Sequence, residues 1–153
     1  MSNLETLFNL VTDAVEKQQE KDRWLQYASE HFSLCVDEIF RHVRSLLLPL
    51  EEKLKAYQLE SVKQIWAVEE VNGELQIRFK EKTLTFKPID AVAKQDSDKY
   101  TIQVLQNGNK TIRFELPMIP SAKPSFYVGN QRGIEEVSPE YLSTLIANAL
   151  SFE

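Results

Sequence analysis

Cysteine occurs once in this chain, at position 35, so no intramolecular disulfide can form and the sequence does not read as a stapled secreted scaffold. Glycine is nearly as scarce, with four in 153 residues, which leaves few places where a backbone can approach a ligand closely. Long apolar runs are absent. The longest, Leu46-Leu47-Leu48-Pro49-Leu50, is far too short to cross a bilayer. The start, Met1 to Glu5, lacks the basic end and apolar core of an export signal, so a cytoplasmic location is expected. An excess of basic residues is missing too: 18 Lys and Arg stand against 23 Asp and Glu, for a net charge of -5. That balance argues against a broad nucleic-acid-binding surface.

What the chain does contain is a change of hydrophobic period near residue 60. Leu4, Phe8, Val11 and Val15 recur at spacings of four, three and four, and the pattern resumes at Leu25, Phe32, Val36, Ile39, Val43, Leu46 and Leu50. That is a single stripe along a helix. After Ile65 the apolar residues alternate instead, as in Leu75-Gln76-Ile77-Arg78-Phe79 and Ile112-Arg113-Phe114-Glu115-Leu116. Alternation of this kind marks strands with one buried face.

Ser2 and Glu5 have capping-box spacing at the head of the first helix. Glu16 to Arg23 is wholly polar, and its residues are good helix formers with no Gly or Pro, so one helix or two over residues 3–48 remain alternatives. Pro49 either kinks the helix or opens a short further one over residues 50–57. Asn72-Gly73 and Asn107-Gly108 each predict a hairpin, because a type I′ turn needs positive φ at both central residues. Strands are expected over 64–71, 74–80, 83–87, 100–106, 110–118 and 125–128, with Trp66 on the polar side of the first. Ser138 and Pro139 open a closing helix that carries Leu142, Leu145, Ile146 and Ala149 on one face. The expectation is a single α+β domain over 1–153. Its helical part (1–57) and C-terminal helix (138–151) cover one face of a five- or six-stranded antiparallel sheet (62–128).

Chemistry is harder to find. His31, Cys35, Glu38 and His42 share a helical stripe beside the core positions, and all three residue types ligate zinc. Strung over eleven helical steps, they span about 16 Å of helix, so one tetrahedral ion cannot use all four. No second His or Cys cluster is present to complete a pair. A nucleophilic Cys35 would need a helix N-terminus or a cation beside it, and it sits mid-helix. The plainer reading is a flanking stripe in which Glu38 pairs with His42 and Cys35 packs as a small hydrophobe. Gly129-Asn130-Gln131-Arg132-Gly133 is a weak candidate ligand loop. Arg132 stands between Gly129 and Gly133, but neither a P-loop nor a dinucleotide fingerprint is present.

The leading expectation is therefore a non-enzymatic protein-interaction module, adaptor, inhibitor or chaperone-like, with no cofactor, no metal and no nucleic-acid or membrane partner. The first stripe, Leu4, Leu7, Phe8, Val11 and Val15, is separated from the main helical stripe by the polar segment, so it is expected to drive homodimerisation. The runner-up is a domain for a small or anionic ligand, held in the helix–sheet cleft or at the Gly129–Gly133 loop. An enzyme acting through His31, Cys35, Glu38 or His42 comes third.

Overall fold

The computed structural model describes residues 3–89, 100–116, 125–130 and 133–151. Helix α1 runs without interruption over Asn3–Leu54, 52 residues, which is about 78 Å at the usual rise. The polar stretch 16–23 does not break it. Local pairs such as Gln18 Nε2 donating to Asp22 Oδ1 at 3.0 Å bridge adjacent turns there. Pro49 lies inside α1 and opens no new helix. Its missing N–H leaves the carbonyl of Ser45 without a helical donor, and Ser45 is exposed, so water can serve instead. The short further helix is α2, Leu59–Ile65. It lies later than residues 50–57 and takes two positions, 64 and 65, that alternation assigns to the first strand.

The sheet has seven antiparallel strands in sequential order: β1 (Trp66–Val71), β2 (Glu74–Phe79), β3 (Lys82–Ile89), β4 (Thr101–Gln106), β5 (Asn109–Glu115), β6 (Tyr127–Asn130) and β7 (Gly133–Glu136). Strand β7 is the one that period-two reading misses, because all four of its residues are exposed and show no alternation. Both Asn-Gly turns form as expected, with positive φ at Asn72, Gly73, Asn107 and Gly108. Asn107 does more than turn the chain. Its amide N–H donates to the Thr83 carbonyl, and its side-chain oxygen accepts from the Thr83 amide, both at 2.9 Å. Pro88 pairs with Ile102 of β4. The β2 ladder ends at Leu75 opposite Phe86, so Pro88 sits where β3 has outrun its other neighbour and no donor is needed.

Register places the buried face where alternation puts it. Leu75, Ile77, Leu84, Phe86, Ile102, Val104 and Phe114 are wholly inaccessible. Against them pack Phe32, Val36, Ile39 and Val43 of α1 and Leu142, Leu145 and Ile146 of α3 (Pro139–Ser151). The Ser138 hydroxyl accepts from the Tyr141 amide at 3.1 Å, capping α3. Trp66, Phe79 and Ile112 differ from expectation, Ile112 being half-buried on β5. Trp66 pairs with Phe79, which turns it to the apolar side, because the turn at Asn72-Gly73 sets residues 66 and 68 opposite 79 and 77. Phe79 is half-buried where Phe86 and Phe114 are sealed, since it ends β2 beside the tight Lys80–Glu81 turn. Phe114→Ala should therefore destabilise the protein by about 3–5 kcal/mol in chemical denaturation, with Phe79→Ala costing clearly less. Equal losses at the two positions would contradict this assignment of faces.

Candidate functional site

The stripe that packs on the sheet begins at Tyr27 and ends at Leu47. Toward the N-terminus, Trp24 and Leu25 are half-buried, and every residue from Asn3 to Arg23 is exposed. About 30 Å of α1 therefore projects past the body as an arm. An isolated helix of this length is marginal in water, but this one extends a helix already nucleated by its packed half. Leu4, Leu7, Phe8, Val11 and Val15 all lie on this arm and are 51% to 61% exposed; Leu10 adds a further open apolar residue. From Asn3 to Glu16 the arm carries Glu5, Asp13 and Glu16 and not one Lys or Arg.

The second place of interest is a cleft of about 360 Å³ where the middle of α1 faces the β7–α3 connection. Cys35, Glu38 and His42 line it, with Ser125, Glu136 and Ser138 opposite. The helical stripe is thus only partly gathered. His31 turns away from the cleft, its Nδ1 donating to the Tyr27 carbonyl at 2.8 Å and its ring lying 4.6 Å from that of Tyr27. Glu38 Oε1 and His42 Nε2 are 3.4 Å apart, a weak contact between half-exposed groups. Among the described residues, no three His, Cys, Asp or Glu side chains come close enough to hold a metal ion. Two carboxylates line the cleft, so its charge disfavours an anionic guest.

Cys35 is 4% exposed. Burial, followed by the neighbouring Glu38 carboxylate, pushes its thiol from 9.0 up to about 11. Both effects oppose the thiolate, the form a nucleophile or a metal ligand requires.

The candidate loop at 129–133 is the tip of the β6–β7 hairpin. Gly129 pairs with Ile134, and Gly133 opens β7 opposite Asn130. Gly133 has φ 125°, a conformation that side-chain-bearing residues rarely adopt. Arg132 lies outside the described residues.

Alternation places Arg78 on the polar sheet face, as one of four cations there with Lys80, Lys87 and Arg113, but does not reveal what it holds. Its guanidinium donates to the carbonyls of Lys63 and Gln64, at the C-terminal end of α2, and to Lys80. A cation there satisfies the orphan acceptors of the last turn. The residue carries no signal until α2 is known to exist. Beside it a groove of about 620 Å³ runs between the end of α1, α2 and the edge strand β1, with Tyr57, Leu59, Val62 and Trp66 along its apolar wall.

Native protein at pH 8 should react with a small alkylating reagent at Cys35 far more slowly than the unfolded chain does, by at least 100-fold when thiol loss is followed. Reaction at the free-thiol rate would restore Cys35 as a chemical group. No helix among the described residues is long and apolar enough to cross a membrane. The chain matches no protein-family model, no curated protein and no solved structure.

Proposed function

We propose that this protein is a non-enzymatic interaction module, an adaptor, inhibitor or chaperone-like binder, that self-associates through the arm of α1. One observation carries the reading: a continuous helix holds five apolar side chains on one stripe of an arm that projects about 30 Å past the core it helps to build. Exposed apolar residues scattered singly are ordinary, but a contiguous stripe on a projecting helix marks a binding face.

The sheet edges support the arm over the other obvious route to assembly. Edge strand β1 carries Glu69 and Glu70, and edge strand β7 carries Glu135 and Glu136. Pairing either edge with its own copy would bring acidic residues together, a common device against edge-to-edge addition. The cleft at Cys35, Glu38 and His42 favours a small-ligand role less, because its thiol is held protonated and its carboxylates repel anions.

Sedimentation across a concentration series should show a dimer that dissociates on dilution. Replacing Phe8 and Val11 together by Glu (Phe8→Glu, Val11→Glu) should yield a monomer whose melting temperature, set by the body, changes by only a few degrees. A wild-type chain that stays monomeric at several hundred micromolar would end the proposal, as would a double variant that still dimerises.

A further inference from the structure

Resting on that reading, we infer that the occupant of the arm is the arm of a second copy running antiparallel, with Leu4 against the partner's Val15 and Phe8 against the partner's Val11. The pairing follows from what the stripe becomes on either side of these four residues. Written as heptads, Leu4, Val11, Gln18, Leu25, Phe32 and Ile39 are d positions, and Phe8, Val15, Asp22, Val36 and Val43 are a positions. One seam thus runs the whole length of α1. Its arm end is apolar and open, its middle is polar, and its far end is filled by the protein's own sheet.

A parallel, in-register partner would have to follow that seam downward. It would set Gln18 against the partner's Gln18 and Asp22 against the partner's Asp22, placing like charges across a helix–helix seam. Beyond Leu25 it would arrive where Phe32, Val36 and Ile39 already meet the sheet. An antiparallel partner avoids both. With residue numbers at each layer summing to nineteen, Leu4, Phe8, Val11 and Val15 find apolar partners in both chains. Leu7 then lies near the partner's Ala14, and Gln18 and Asp22 fall outside the overlap. Glu16 comes to the partner's helix N-terminus, where the helix dipole favours an anion. The two bodies are left at opposite ends of the paired arms.

Two other occupants fit less well. A membrane surface attracts amphipathic helices through Lys and Arg on their polar face, and Asn3 to Glu16 has none. In the antiparallel register Glu5 lies level with the partner's Ala14 and Asp13 with the partner's Thr6, so neither acid meets its own copy, and Asp13 occupies an outer f position away from the seam. The paired arms bury on the order of 1,000 Å² in total, at the lower limit for a specific interface, which suits a dimer that exchanges at micromolar concentration.

The full-length chain tests this by site-directed oxidation, with buried Cys35 left in place. An equimolar mixture of Leu4→Cys and Val15→Cys chains should form a disulfide between unlike chains on mild oxidation, whereas each variant alone should not. Gln18→Cys, which leaves the apolar stripe intact, should also fail to cross-link with itself. Spin labels on Glu20→Cys should report a separation of about 35 Å, against roughly 20 Å for a parallel pair, given the rise per residue and helix spacing. Self-cross-linking at Gln18 with the short distance overturns the antiparallel register while leaving dimerisation through the arm standing. A monomer in sedimentation overturns both. Arm-dependent binding to phosphatidylcholine vesicles in place of dimerisation overturns the choice of a second copy.

Discussion

The contact between α1 and the sheet sets the terms for the other elements. From Ala28 to Leu47 the helix presents side chains every three or four residues, and the strands answer with side chains on every second one. Neither surface could stay in water alone. The helix would be a rod with a greasy flank, and the meander would be a sheet with Leu75, Ile77, Phe86, Ile102 and Phe114 in solvent. Placing one on the other satisfies both, and α3 fills the remainder of the same face beside α1. Arg44 reaches from α1 to Glu70 on β1 at 2.8 Å, an exposed ion pair that follows from this packing. The opposite sheet face, with Gln76, Thr85, Gln103 and Arg113, remains polar.

Much of this is legible in the residues, for identifiable reasons. Strand register follows from two Asn-Gly turns and strict alternation, since a slip of one residue would expose every phenylalanine of the face. The C-terminal helix follows from Ser138, Pro139 and a clean stripe. Helix α2 is not legible, because Leu59–Ile65 is brief, buries no residue fully and is completed by a distant arginine. Strand β7 is hidden for a related reason: its register is borrowed from β6, and its own side chains all face water. The tight turn at Lys80 carries no glycine, although its φ of 56° is one that glycine or asparagine would adopt more cheaply.

The candidate sites divide along the same line. Spacing identifies which residues share a helical face, and the arm residues Leu4, Leu7, Phe8, Val11 and Val15 do share one. Spacing cannot say what stands across from a face. Opposite Cys35, Glu38 and His42 the chain brings Ser125, Glu136 and Ser138, which supply neither a cation nor a further imidazole. His31, though on the same stripe, is turned aside by the Tyr27 carbonyl four residues earlier. A pattern of reactive residue types thereby becomes a wall around a small acidic cleft.

The unbroken passage of α1 through residues 16–23 couples two surfaces that otherwise share no contact. Because the rod is continuous, the compass direction of the arm's stripe is geared to the plane of the sheet by the helical repeat alone. Adding or deleting one residue in this polar segment would swing the stripe by about 100° about the axis, while seven residues would return it to within some 20° of its bearing. The segment has no apolar residue that must be buried. Its length is a phase setting: a change of seven or eleven residues leaves the arm within about 20° of its bearing, and a change of eighteen restores it.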